Sequence, residues 1–140
     1  MLSLLTKKKI TEDKTATVFV NFLLTLADEG FPEVASFFNE DPEFVTHPSV
    51  LPDDSGEFLL IVFAGNLKFL SERSPDYQGA RLSELILSKL SQALSNDKVT
   101  LKKTISDYQS FMNRVNHPSK NTHYAMSKAI FHKYNLNPHQ

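Results

Sequence analysis

The chain has no cysteine, which excludes disulfide frameworks, thiolate zinc sites, iron–sulfur clusters and cysteine nucleophiles. Glycine is almost as scarce. The four present, Gly30, Gly56, Gly65 and Gly79, form no glycine-rich run, so phosphate-cradling loops are excluded as well. A nucleophile elbow and a His-Glu-x-x-His pair are also missing. The longest apolar run, Phe58 to Ala64, is too short to span a membrane, and Lys68 interrupts its continuation. Leu2, Leu4 and Leu5 precede Lys7, Lys8 and Lys9, the reverse of a secretory signal, so the expected location is cytoplasmic. Residues 1–10 are expected to be a flexible N-terminal segment and residues 11–140 a single helical domain.

That same apolar run organises the rest of the chain. If Gly56 to about Arg73 is a helix, its first two turns have no water-facing side, which requires neighbours all round. Asp54 and Glu57 have capping-box spacing at its start, and Ser74-Pro75 closes it. A buried strand over Leu59 to Ala64, turning at Gly65-Asn66, is the competing reading. Only Ile61 and Val62 are β-branched, and Leu67, Phe69 and Leu70 carry the apolar character past that turn, which favours the helix.

The other segments read as helices too. Thr11 followed by Glu12-Asp13 suggests an N-cap for a helix to about Asp28, with Gly30 as a left-handed ending before Pro32. A short helix over Pro32 to Asn39 would bury Val34, Ala35, Phe37 and Phe38. Residues 40–55 hold Pro42, Pro48 and Pro52 and read as a long loop, held down by Phe44, Val45, Val50 and Leu51. Three amphipathic helices follow, from Ser74 to about Ser95, from Asp97 or Thr100 to before His117-Pro118, and from Ser119 or Asn121 to about Tyr134. Asn135 is suited to a C′ role. The expectation is an all-α fold, a compact bundle of about six helices around a central buried helix at about 55–73.

Charge is distributed unevenly. Residues 11–97 carry fifteen acids against Lys14, Lys68, Arg73, Arg81 and Lys89, a net charge of −10, while residues 98–140 carry seven bases against Asp107 alone, a net charge of +6. Paired carboxylates such as Glu40-Asp41 and Asp53-Asp54 fall at expected helix ends, where capping explains them without acid–base catalysis. No two histidines stand at i, i+3 or i, i+4, so a metal site would need distant segments. His47 and His117, in the matching Val-Thr-His-Pro-Ser and Val-Asn-His-Pro-Ser turns, are the pair that could assemble one.

Three functional expectations follow. The leading one is a non-enzymatic, cofactor-free interaction module that chooses a protein partner through an acidic surface within residues 28–57, including Glu40, Asp41, Glu43, Asp53 and Asp54. The second is a nucleic-acid contact through the C-terminal helices, where Lys120, His123, Tyr124, Lys128, Phe131, His132 and Lys133 interleave basic and aromatic residues. The third is a small-ligand or enzymatic pocket beside Gly65 and Asn66 under the 40–55 loop, with His47 and His117 near it. Gly65 in a buried helix costs about 1 kcal/mol relative to alanine, so either a close helix crossing or a ligand must require the missing side chain.

Overall fold

The computed structural model describes residues 2–73, 76–116 and 121–140, with side chains over 12–72, 78–116 and 121–140. Helix α1 spans Leu2–Thr25, and a π-turn, Leu26–Gly30, passes the chain into the short α2, Phe31–Glu40. After the 41–55 loop come α3 (Gly56–Arg73), α4 (Asp76–Ala93), α5 (Lys98–Asn116), α6 (Thr122–Lys133) and a 3-10 turn at Asn137–His139. No strand occurs among the described residues. The fold is an all-α bundle of five long helices, with α2 as a short continuation of the first.

Helix α3 is the centre. It touches α1, α4, α5 and α6, and it buries Ile61, Phe63, Ala64 and Leu67 while Leu59, Leu60, Val62 and Leu70 are half-buried. The all-apolar first turns are therefore flanked by four helices, as such a helix requires, although part of their surface is only half-buried. Buried partners arrive from α1 (Ala16, Val20, Leu23), α4 (Ile86, Leu87, Leu90), α5 (Leu101, Ile105, Met112) and α6 (Ala125, Ala129). A second cluster lies at one end, where Phe31, Ala35, Val50 and Leu136 are buried with Phe44, Phe58, Phe131 and Tyr134 around them. This smaller core joins α2, the loop, the start of α3 and the end of α6.

Several ends form as their residues suggest. The Asp97 carboxylate accepts from the Thr100 N–H at 2.9 Å and from its hydroxyl at 3.0 Å, bonds that hold its pKa below the usual carboxylate range. Asn121 caps α6 by accepting from the Tyr124 N–H at 3.0 Å. Asn135 adopts φ 56°, and the Leu136 N–H reaches the Phe131 carbonyl at 2.8 Å, a Schellman ending sealed by the buried Leu136. Ser95, at φ 52°, ends α4 in the same way through Asn96 N–H to Ser91 carbonyl.

Other ends differ from the sequence reading. Helix α1 begins at Leu2, so Thr11 is interior to it; no glycine or proline precedes Thr11 to stop the helix. Gly30 stays right-handed at φ −88°, and Phe31 follows at φ −63°. The π-turn makes room for the Pro32 ring, and burying Phe31 against Phe58 and Tyr134 holds the residue before proline in a helical conformation it otherwise avoids. Phe37, Val45 and Leu51, expected in contact with the core, are 64%, 81% and 64% exposed. Phe31 and Ala35 already take the inward face of α2, which turns Phe37 outward. Ser74-Pro75, Lys120 and the His117-Pro118 turn lie outside the described residues.

Capping of α3 is tertiary. The Tyr134 hydroxyl donates to the Asp54 carbonyl at 2.6 Å and accepts from the Phe58 N–H at 2.8 Å, replacing the expected Asp54–Glu57 box. Glu57 instead accepts a hydrogen bond from the Tyr108 hydroxyl. Burial, with Glu57 beside it, pushes the Tyr108 hydroxyl pKa well up. For Tyr134, burial outweighs the opposing Phe58 bond and raises the pKa from 10.0 to about 12. A folded-state pKa above the unfolded one contributes stability that is whole below the ordinary value of 10.0 and is lost as pH rises through about 12. Tyr134→Phe is expected to cost about 1–2 kcal/mol at neutral pH and to lose less further stability above pH 10 than the parent. Urea titrations of both proteins at pH 7, 9 and 11 check this; parallel alkaline profiles would remove Tyr134 from the account.

Candidate functional site

Asp28, Glu29, Glu33, Glu40, Asp41, Glu43, Asp53, Asp54 and Glu57 are distributed over the π-turn, α2, the loop and the first turn of α3, and no lysine or arginine occurs between Lys14 and Lys68. Because α2 buries Phe31 and Ala35, Glu33, Phe37 and Glu40 share its outer face at i, i+4 and i+7. An exposed phenylalanine is thus framed by two carboxylates, with Asp41 next in line. Beside the π-turn a groove of about 390 Å³ is lined by Asp28, Glu29, Leu24, Ala27, Ser55 and Leu59.

The loop is held by specific bonds. The Asn39 side chain clamps Val50 from both directions, Nδ2 to the Val50 carbonyl at 2.9 Å and Val50 N–H to Oδ1 at 2.7 Å. His47 Nδ1 lies 2.8 Å from the Asn39 carbonyl, an acceptor only, which places the proton on Nδ1. The Asp41 carboxylate accepts from the Glu43 N–H at 2.8 Å. At the far end, the N–H groups of Val45 and Thr46 both donate to the His139 carbonyl, at 2.8 and 3.3 Å, and Thr46 Oγ1 is 2.8 Å from His139 Nδ1. The C-terminal turn therefore fixes the middle of the acidic loop.

The ion pairs among the described residues use other acids. Arg81 meets Glu12 at 2.6 Å and Lys89 meets Asp13 at 3.0 Å, tying α4 to α1. Lys98 and Lys102 meet Glu84 at 2.9 and 2.7 Å, tying α5 to α4, and these bonds hold Glu84 below the usual carboxylate range. Lys103 and Asp107 pair at 3.6 Å within α5. These are surface pairs, each worth about 0–1 kcal/mol. The acids of 28–57 take part in none of them.

The basic residues of α6 meet aromatic rings. The Lys128 ammonium lies 5.1 Å from the centre of the Tyr124 ring, and that of Lys133 lies 4.7 Å from both Tyr108 and Phe111. His132 stands edge-on to Phe111 at 5.7 Å and His123 is 6.2 Å from Phe69. Lys133 thus meets rings of α5, while the half-buried Lys128 meets Tyr124 of its own helix, a ring that is itself half exposed.

Gly65 is where α3 meets α5 and α6. A Cβ there would collide with Met126 Sδ, stand 2.6 Å from Met126 Cγ and lie 3.4 Å from Met112 Cε. Asn66 Nδ2 turns back to the Val62 carbonyl at 2.8 Å, and Gln109 Nε2 donates to the Ala64 carbonyl at 3.1 Å. His47 sits on the exposed loop against Asn39, so the described members of the Gly65, Asn66 and His47 set do not converge. Among the described residues no three histidines or carboxylates gather closely enough to hold a metal ion, and no helix is long and apolar enough to cross a membrane.

What the sequence reading missed is the apolar part of the acidic face. The signal was present in the Glu33, Phe37, Glu40 spacing, which places the aromatic on the charged side of a short helix. No protein-family model, curated protein or solved structure matches this chain, so the reading of the surface rests on its own geometry and charge.

Proposed function

We propose that the protein is a non-enzymatic interaction module that docks a basic, partly apolar segment of a protein partner on the surface of residues 28–57. The observation that carries this reading is Phe37, 64% exposed and framed by Glu33 and Glu40. Covering the exposed part of that ring is worth about 1–2 kcal/mol, and the surrounding carboxylates, outside every ion pair of the described residues, select lysine or arginine and speed the encounter. Leu51 and Val45 are further exposed apolar side chains of the same acidic segment. The loop's anchorage to Asn39 and His139 supports a surface largely formed before binding, which lowers the ordering cost.

The test compares the protein with its Glu33→Lys/Glu40→Lys variant as bait in lysate, at low and moderate salt, with nuclease. A discrete partner held by the native bait and weakened about tenfold or more by the reversal is the expected outcome, with Phe37→Ser weakening it at both salts. A partner retained equally by both baits would show that this face is not the docking surface. Loss of all retention on nuclease treatment would favour the nucleic-acid reading instead.

A further inference from the structure

The opposite pole of the charge pattern carries a different site. On α6, Tyr124, Lys128, Phe131 and His132 recur at i, i+4, i+7 and i+8, and this face lines a groove of about 400 Å³ closed at one end by Asn137 and Gln140. That volume falls within the range of small-ligand pockets, about 300–1,000 Å³. The end wall is fixed, because Leu136 is fully buried and the His139 carbonyl is bonded to Val45 and Thr46 of the loop.

The lining has a definite chemistry. No carboxylate side chain lines it, and Lys128, whose ammonium is held 5.1 Å from the Tyr124 ring centre, joins no ion pair among the described residues. His132 adds an imidazole one turn further on. Tyr124 and Phe131 offer aromatic surfaces, and the Asn137 and Gln140 amides offer both donors and acceptors. A ligand that uses all of these has a planar aromatic part with a hydrogen-bonding edge and an anionic group a few bonds away. We propose that this groove binds a mononucleotide, its base against Tyr124 and Phe131 and its phosphate on Lys128 and His132. This assignment is independent of the acidic surface.

The experiment titrates the full chain with adenosine 5′-monophosphate by calorimetry and by amide chemical shifts, with adenosine and inorganic phosphate as separate arms. Saturable binding of the nucleotide is expected, with each fragment about tenfold weaker or more, shifts centred on Tyr124–His132 and Asn137–Gln140, and about a tenfold loss in Lys128→Gln and in Tyr124→Ala. Lys103→Gln, on α5, should leave it unchanged. Circular dichroism confirms that the variants fold. Absence of saturable binding, or binding indifferent to Lys128 and Tyr124, would overturn the assignment. Phosphate binding as tightly as the nucleotide would reduce it to a point charge. Affinity that climbs steeply with each nucleotide added to an oligoadenylate would replace it with single-strand binding.

Discussion

Phe31→Ala is expected to lower the unfolding free energy by about 3–5 kcal/mol, a large share of the roughly 5–15 kcal/mol available to a domain. Phe31 is fully buried and touches both sides of the smaller core, with its ring centre 5.4 Å from Phe58 and 5.2 Å from Tyr134. Removing the ring leaves a cavity at the residue that joins the π-turn to α2. It also takes away the burial that keeps Phe31 helical before proline, so α2 should loosen at its first turn. The loss should therefore be local as well as global. Hydrogen exchange is expected to accelerate first in residues 31–40 and at Phe58, while α4 and α5 remain protected until global unfolding. Partner binding at Glu33, Phe37 and Glu40 should weaken in the same variant, because those side chains depend on α2 for their common face. Uniform acceleration across the bundle would mean that the two clusters unfold as one unit.

Gly65→Val is expected to cost about 2–3 kcal/mol through overpacking. The added methyls enter space held by Met126 Cγ and Sδ, with Met112 Cε beyond. Gly65→Ala is the more informative change. Alanine gains about 1 kcal/mol of helix propensity over glycine but its Cβ needs Met126 to move, so a net loss measures how firmly α6 is seated. Met126→Ala opens the space. In that background Gly65→Ala should become neutral or stabilising, with a coupling of about 1–3 kcal/mol in the double-mutant cycle read by urea titration. Additive effects would show that α6 shifts as a body instead, and would remove close packing as the reason for glycine at this position.

The parts of the fold legible in the sequence are those decided within a few residues. Phe58 to Ala64 forecast a central helix because an all-apolar surface has no stable alternative to enclosure. Asp97, Asn121 and Asn135 disclosed helix ends because their side chains or left-handed backbone act locally. Gly30-Phe31-Pro32 misled for the opposite reason. Local preference favoured a stop, but the pocket formed by Phe58 and Tyr134, far away in sequence, holds Phe31 helical and a π-turn absorbs the proline. Phe37 misled because a ten-residue helix with four large apolar side chains and proline nearby does not define one inward stripe. Of the candidate surface, the acids and the lack of any lysine or arginine between Lys14 and Lys68 were readable. Which bases would meet which acids was not, since Arg81 with Glu12 and Lys102 with Glu84 depend on helix order in space. The groove on α6 needed the return of residues 137–140 to close it, which no helical periodicity reveals.

Tyr134 caps a helix that begins at Gly56, and the His139 carbonyl receives the amides of Val45 and Thr46. During synthesis at about 5–20 residues per second, α1 to α3 leave the ribosome several seconds before those partners exist. The nascent chain then carries an uncapped α3 and an unanchored acidic loop, with Phe31 and Phe58 lacking the Tyr134 ring. Its hazard is exposed apolar surface, which the arrival of α6 covers. The acidic loop is thus anchored only after residues 134–139 have emerged, and a ribosome stalled before residue 134 would display its acids without the bonds to Tyr134 and His139 that hold the segment in place.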